Sequence, residues 1–230
     1  MKKENFCFCT FRDNLILKVL EEQPHDRTLF VFPTENSKLT GIREFLKQWR
    51  FTETHFLTME QFKYLSFLSQ RRILKEDKRS LAFYASLSSE SKNFFKIKNY
   101  FQSIEIARHF FEFWEEVNDE MIEDNINPER FARANAELLE WQLLTFHQLL
   151  KIKSNYQKFI QEKGFDDIIF LFQPDNLNLK FFNDFDRIVI VNQFYYTRLE
   201  QFILEKLYHL GKQIKIYYQL PQSLVDWEHL

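Results

Sequence analysis

The chain has 230 residues, of which 45% are hydrophobic and 18% aromatic, and its formal net charge at pH 7 is −2. This length and apolar content exclude a disordered chain, because they suffice to bury a large core. The charge excludes a global positive field, so any contact with nucleic acid has to depend on a local patch.

Glycine and proline are scarce, with three and five copies respectively. These numbers are low for a β-sandwich or barrel, which needs many tight turns, so we expect helix to dominate. No apolar stretch reaches the length of a membrane span and no signal peptide is evident, so we expect a cytoplasmic protein without a membrane partner. Cys7 and Cys9 alternate in an apolar run and are expected to be reduced core residues.

Three strand-to-helix units are predicted at the start of the chain, and consecutive units of this kind predict a parallel sheet. Their strands are residues 6–10, 28–32 and 55–57. Asp13 is placed to cap the first helix, and Thr58 with Gln61 forms the capping-box pattern of the third. The apolar residues of the second helix recur at helical spacing and are expected to face the core: Leu39, Ile42, Leu46 and Trp49.

Long helical patterns replace the strand signal from about residue 71 to residue 163, which predicts a helical insertion. Strands return at residues 167–171, 187–191 and 213–218, and Gly211 is placed to end the helix between the last two. The sequence therefore predicts a discontinuous α/β domain of residues 1–70 and 164–230. A helical insertion subdomain of residues 71–163 interrupts it.

A phosphate-binding loop is missing after the first strand. Such a loop needs glycines, a lysine and a serine or threonine, whereas residues 10–14 read TFRDN. Asn192 and Gln193 follow the strand at 187–191, where a working ATPase has an acidic pair that holds magnesium. We therefore expect no ATP hydrolysis.

Three strand-to-helix segments occur in an informative order. They read LFVFPTEN at residues 29–36, FLTMEQF at residues 56–62, and IVIVNQF at residues 188–194 followed by LEQFIL at residues 199–204. In this order they resemble the first helicase-like domain of the AddB-type subunits of bacterial AddAB helicase-nucleases, which process broken DNA ends for recombination.

The resemblance implies a degenerate superfamily 1 fold, which is a RecA-like parallel sheet flanked by helices with a helical insertion subdomain. It implies DNA and an AddA-like helicase subunit as partners, and no cofactor, because some family members similarly lack the nucleotide-binding loop and hold DNA while the partner drives movement. Family members are longer and end in a PD-(D/E)xK nuclease domain, so we expect this chain to be an N-terminal fragment.

A basic segment at residues 71–98 is the candidate DNA contact, because lysine and arginine neutralise phosphates and the interleaved aromatic residues can stack on unpaired bases. An alternative interpretation makes its cations a solvated helix surface and its aromatic residues core. The candidate DNA-binding residues are Arg71, Arg72, Lys75, Lys78, Arg79, Lys92, Lys96 and Lys98, and the interleaved aromatic residues are Phe83, Tyr84, Phe94 and Phe95.

The next segment, residues 105–129, is strongly acidic. It contains nine aspartates and glutamates, and Arg108 is its single arginine or lysine. A segment with this charge should avoid DNA. Such a surface serves solubility, or it faces a basic partner subunit, where opposite charge fixes orientation.

Two other functions stay open. One is a non-catalytic α/β scaffold whose partner is another protein. The other is a magnesium-dependent nuclease that uses Asp184 and Asp186, although these residues, with Asp166 and Asp167, are expected to be solvated carboxylates beside strands. No histidine has metal-ligand spacing, and no nucleophile motif is evident, so no catalytic residue is assigned.

Overall fold

The computed structural model describes residues 3–48, 54–122 and 140–221. The chain divides into two compact units. The sheet unit comprises Met1–Phe67 and Leu177–Leu230, and the helical unit comprises Leu68–Asn176. The sequence predicts an insertion of residues 71–163, whereas the helical unit extends to residue 176.

Seven strands and nine α-helices occur among the described residues. The strands are β1 (Phe6–Thr10), β2 (Thr28–Phe32), β3 (Thr54–Thr58), β4 (Arg72–Ile73), β5 (Phe165–Asp166), β6 (Arg187–Val191) and β7 (Gln213–Leu220). The helices are α1 (Leu15–Glu22), α2 (Glu35–Gln48), α3 (Met59–Leu65), α4 (Glu76–Ser86), α5 (Ser89–Phe94), α6 (Tyr100–Asp119), α7 (Glu140–Glu162), α8 (Leu179–Phe182) and α9 (Arg198–His209). No helix of the described residues is both long and apolar enough to span a bilayer.

Five parallel strands form the sheet of the sheet unit, in the spatial order β1-β7-β6-β2-β3. In this register Phe30 of β2 lies between Phe56 of β3 and Val189 of β6. Ile216 of β7 lies between Phe6 of β1 and Ile190 of β6. The fold is α/β, with a RecA-like parallel sheet flanked by helices, which confirms the predicted fold class.

Both faces of the sheet are covered, as their residues require. All five residues of β2 are buried, so neither face of this strand meets water. Side chains alternate between the faces of a strand. On one face Phe30 and Phe32 pack with Val19 of α1 and Phe45 of α2. The alternate residues Leu29 and Val31 are 0% exposed and face the other side.

Local signals set the ends of several helices. Thr58 and Gln61 form the predicted capping box of α3. Gly211 has a φ of 85° after α9, the left-handed conformation that ends helices. The predicted cap of α1 is wrong by one residue: Asn14, not Asp13, accepts the hydrogen bond from Leu17 N.

The helical unit has its own core, built on α4, α6 and α7. Its centre is Phe110, whose ring lies 5.1 Å from that of Phe83 and 6.2 Å from that of Tyr156, between ring centroids. On α6 the core side is formed by residues at helical spacing, among them Ala107, Phe110, Trp114 and Val117. On α7, Leu143, Phe146 and Leu150 are half-buried.

Residues 167–171 do not form the predicted strand. Asp167 instead caps a 3₁₀ turn, Ile168–Phe170, by accepting a hydrogen bond from Ile169 N. Strand pairing here is limited to two residues in each of β4 and β5. Periodicity alone does not distinguish a short buried strand from a short buried turn of helix.

The buried stripe of α2 also differs from the prediction. Leu39 and Leu46 are exposed, whereas Lys38, Gly41 and Phe45 are buried. The predicted residue Trp49 lies outside the described residues. Gly41 explains why this face of α2, rather than the predicted face, is turned to the sheet: its missing side chain lets α2 approach the ring of Phe32.

Gly41→Ala is expected to lower the free energy of unfolding by about 1–3 kcal/mol, as overpacking of a core does, although alanine is the better helix former. A Cβ at this position would lie 2.6 Å from Cζ of Phe32. Urea unfolding measures the change. In a Phe32→Leu background, which lacks Cζ, the same substitution should cost less; an equal loss in both backgrounds would contradict the explanation.

Candidate nucleic-acid interface

The turn after β1 is stabilised by hydrogen bonds to the carboxylate of its own residue Asp13. Asp13 Oδ2 accepts hydrogen bonds from Thr10 N at 2.9 Å and from Thr10 Oγ1 at 3.1 Å. The hydrogen bond from the Thr10 backbone lowers the pKa of Asp13. Asn14 caps the helix that follows. In a nucleotide hydrolase, backbone and hydroxyl donors at this position would bind a phosphate. Here the donors of Thr10 bind the carboxylate of Asp13 instead.

The turn after β6 is built in the same way. Asn192 has a φ of 58°, donates from its backbone N to Tyr217 O at 2.7 Å, and accepts Gln219 N on its Oδ1 at 3.0 Å. Gln219 Nε2 in turn donates to Thr10 O at 3.2 Å and to Asp13 O at 3.0 Å. One glutamine therefore joins the two turns where phosphate and magnesium would bind in a working ATPase.

Most of the candidate DNA-binding residues reach the surface of the helical unit. Lys92 is half-buried, with its Nζ 4.3 Å from the centre of the Tyr84 ring. Arg79 is largely enclosed, since its side chain is 14% exposed. Six are exposed: Arg71, Arg72, Lys75, Lys78, Lys96 and Lys98.

Arg79 is part of a buried ion-pair network. Its Nε and Nη2 donate to the two carboxylate oxygens of Asp167 at 2.9 and 3.0 Å, and Nη2 also donates to Glu115 at 2.8 Å. Asp167, which is 0% exposed, also accepts Tyr156 Oη at 2.7 Å and Ile169 N at 3.1 Å. The expectation that Asp167 is solvated is wrong, because its charge is fully compensated inside the core.

The charges of this network shift two pKa values. Burial raises the pKa of Tyr156, and the negative charge of Asp167 raises it further. Burial lowers the pKa of Arg79, but the charges and hydrogen bonds of Asp167 and Glu115 together outweigh it, so the pKa is raised overall. Arg79 stays charged and is engaged within the protein, so we withdraw it from the candidate interface; the other seven residues remain.

The remaining cations form two groups, one towards each end of α4. Arg71, Arg72, Lys75 and Lys78 lie before this helix or in its first turn, and Lys92, Lys96 and Lys98 lie in or after α5. A helix of 11 residues is about 16 Å long. The seven remaining residues therefore do not act as one continuous patch.

The second group is accompanied by exposed aromatic rings. Phe101 is 80% exposed and Phe94 is 40% exposed. Phe101 is connected to the Lys92 site through Tyr100, whose ring lies 5.8 Å from that of Phe101 and 6.0 Å from that of Tyr84. We define the lysine–aromatic platform as Tyr84, Lys92, Phe94, Lys96, Lys98 and Phe101.

The platform lies at the N-terminal end of α6. Asn99 caps this helix by accepting a hydrogen bond from Gln102 N, and Lys98 N donates to Gln102 Oε1 at 2.8 Å. The partial positive charge of a helix N-terminus adds to the charge of the lysines. Residues 91–104 contain three lysines and no aspartate or glutamate.

The opposite end of α6 is acidic. Glu116, Asp119 and Glu120 lie in or after its last turn. These carboxylates lie where the helix dipole is already negative, so α6 is polarised from a cationic to an anionic end. Of the carboxylates predicted to avoid DNA, those at residues 123–129 lie outside the described residues.

Phe101 was not among the residues that the sequence singled out. The available signal was an aromatic residue in the first turn of a helix, two residues after the cap Asn99 and three after Lys98. The predicted aromatic residue Phe83 is 0% exposed and belongs to the core. Helical periodicity separates these two roles only when the position of the neighbouring helices is known.

One carboxylate of the alternative nuclease site is engaged in an ion pair. Asp186 accepts Arg27 Nε at 2.8 Å and Arg27 Nη2 at 3.2 Å, and the hydrogen bond from Arg27 lowers its pKa. Within the described residues, no group of three or more histidine, cysteine, aspartate or glutamate side chains is arranged to hold a metal ion.

Comparison with known proteins does not assign the chain to a family. No protein-family model matches it, and no curated protein matches its sequence. The functional argument therefore depends on the fold and on these surfaces.

Tyr156→Phe is expected to lower the free energy of unfolding at pH 7 by about 1.5–3 kcal/mol, the usual contribution of a hydrogen bond to a charged group. The folded protein holds Tyr156 protonated, whereas the unfolded chain ionises it near pH 10. Wild-type stability should therefore lose about 1.4 kcal/mol per pH unit above pH 10 through this group, and the variant should not. Urea unfolding followed by tryptophan fluorescence measures both proteins. If the difference in free energy of unfolding between wild type and variant did not change with pH, the protonated state of Tyr156 in the folded protein would be contradicted.

Lys96→Gly is expected to raise the free energy of unfolding by about 0.5–1 kcal/mol, because Lys96 has a φ of 56°, a conformation that costs little only for glycine. Lys98→Gly removes the same charge from a residue without a positive φ and is the matched control. Thermal melts of both variants check this, and stabilisation by the control as well would refute it.

Proposed function

We propose that this chain is an ATPase-dead, helicase-like domain of an AddB-type subunit that acts in double-strand break repair and recombination. In this proposal it holds DNA and docks an AddA-like helicase subunit in the cytoplasm, and it performs no chemistry itself.

The lysine–aromatic platform is the observation that carries the proposal. Single-stranded nucleic acid is bound without sequence preference where cations follow the backbone and aromatic rings stack on bases. The platform offers both, with Phe101 80% exposed three residues after the exposed Lys98. The excess positive charge of residues 91–104 is the local patch that a chain with a net charge of −2 needs in order to bind DNA.

The sheet unit supports a holding role rather than a motor role. Each of the three segments that resemble AddB-type subunits is a strand followed by a helix: β2 with α2, β3 with α3, and β6 with α9. The turns after β1 and β6 lie at the carboxyl edge of the sheet, where nucleotides bind in open α/β folds. Asp13 and Asn192 already engage the donors and acceptors of these turns.

The acidic end of α6 is the proposed contact for the helicase subunit. Opposite charge across an interface mainly speeds encounter and fixes orientation. A cationic end for DNA and an anionic end for a basic partner would use the two ends of one helix for different ligands.

A protein-interaction scaffold is the second candidate function. Exposed apolar residues of the helical unit favour it: Leu81, Trp141 and Leu144 are 57%, 59% and 51% exposed. Such residues are typical of protein interfaces when they are contiguous. This function predicts no DNA affinity.

Fluorescence polarisation with labelled single-stranded and forked DNA across a salt series tests the proposal. Wild type should bind, and Lys96→Glu/Lys98→Glu should weaken binding at least about tenfold and reduce the log–log salt slope by about 1.4, since each phosphate contact to a single strand contributes about 0.7.

The matched control is Lys158→Glu/Lys163→Glu, which changes the charge equally at two exposed residues of the same unit. The control should bind like wild type. Equal losses of affinity in both variants would show that only the net charge matters and would contradict a role of the platform. Absence of DNA binding by wild type would favour the scaffold function. Binding of a labelled ATP analogue would refute the ATPase-dead assignment.

A further inference from the structure

Three aromatic residues of the sheet unit are exposed at the carboxyl edge of the sheet. Phe11 follows β1 and is 65% exposed, and Phe194 and Tyr195 follow β6 and are 59% and 67% exposed. We define these three residues as the aromatic rim. Large apolar rings at such exposure lie outside the core, and exposed apolar residues that are contiguous mark interaction sites.

The two turns that carry the rim lie on either side of one strand. β7 pairs with β1 on one side and with β6 on the other. Neighbouring strands are about 4.8 Å apart, so β1 and β6 are separated by about 10 Å. Gln219 fixes this arrangement by its hydrogen bonds to both turns.

The turn after β6 holds its aromatic residues in place. Gln193 Nε2 donates to Tyr195 O at 2.8 Å, and Gln201 Nε2 donates to Tyr196 O at 3.0 Å. The ring of Phe194 lies 5.6 Å from that of Tyr218, between centroids. The backbone that presents the rings is therefore ordered before a ligand arrives, which reduces the entropic cost of binding.

The surroundings of the rim indicate what it binds. Arg12 and Arg198 are exposed beside it, and the carboxylate of Asp13, which is 40% exposed, accepts a hydrogen bond from Thr10 N. Residues 10–14 and 192–198 contain no leucine, isoleucine, valine or methionine. Rings set among cations and amides match the bases and phosphates of an unpaired strand.

We propose that the aromatic rim is a second nucleic-acid contact, which stacks on unpaired bases of single-stranded DNA while Arg12 and Arg198 approach its phosphates. The ligand class rests on the proposed function, but the site is separate from the lysine–aromatic platform and belongs to the other unit.

The test compares two strands of equal length and charge, labelled oligo(dT) and an abasic strand, in fluorescence polarisation with the full chain. Phe194→Ala/Tyr195→Ala should weaken binding of oligo(dT) about tenfold and leave binding of the abasic strand unchanged, because only the bases stack. Tyr195→Phe, which keeps the ring, should bind oligo(dT) like wild type. Tyr64→Ala is the control, since Tyr64 is an exposed tyrosine of the same unit on α3.

Photocrosslinking adds an independent measurement. Wild type irradiated with 5-iodouracil-substituted oligo(dT) should give crosslinked peptides that contain Phe194 and Tyr195 or Phe11. Thermal melts check folding, and if the double variant is unfolded, Phe11→Ala in the other turn is expected to reproduce the selective loss of oligo(dT) binding.

The outcomes separate the two proposals. If wild type binds neither strand, both the DNA-holding function and the rim are refuted. If Lys96→Glu/Lys98→Glu weakens binding while the rim variants bind oligo(dT) like wild type, only the rim is refuted. Equal weakening of both strands by the rim variants would also overturn it, because stacking requires bases.

Discussion

The helical unit depends on one buried carboxylate. Asp167 accepts hydrogen bonds from Arg79 of α4 and Tyr156 of α7, and Arg79 also donates to Glu115 of α6. A single network therefore joins three helices. Removing one partner of such a pair leaves an uncompensated buried charge and costs about 3–5 kcal/mol. The network thereby ties α6 to its neighbours, and Phe101 is exposed at the N-terminal end of this helix while Glu116, Asp119 and Glu120 lie at the other end.

The sheet unit depends on a different constraint, which is the need to satisfy every polar group at the carboxyl edge of a parallel sheet. In a nucleotide hydrolase, glycines and a bound nucleotide meet this need. Here Asp13, Asn192 and Gln219 meet it with side chains, and the edge is closed by hydrogen bonds within the chain. An edge closed in this way is a rigid support for the exposed rings of the aromatic rim.

The same residue types thus have opposite roles in different places. Arg79 and Lys96 look alike in a count of basic residues, yet Arg79 is part of the core network and Lys96 projects from the surface. Phe83 and Phe101 differ in the same way. For a functional assignment the informative quantity is therefore the partner of each side chain, because a cation that is already paired inside the protein contributes little to a ligand.

The sequence by itself determined the class of fold, because apolar strands that alternate with amphipathic helices allow little other than a parallel sheet covered on both faces, and it located strands β2 and β6 at their observed bounds. Caps such as Thr58 with Gln61 were equally readable, since their hydrogen bonds are local. Only the tertiary structure decided the buried face of α2, the turn at Asp167, and the separation of Arg79 from the other cations. These features depend on contacts with residues far along the chain, such as Phe32 for Gly41 and Asp167 for Arg79, which local periodicity does not contain.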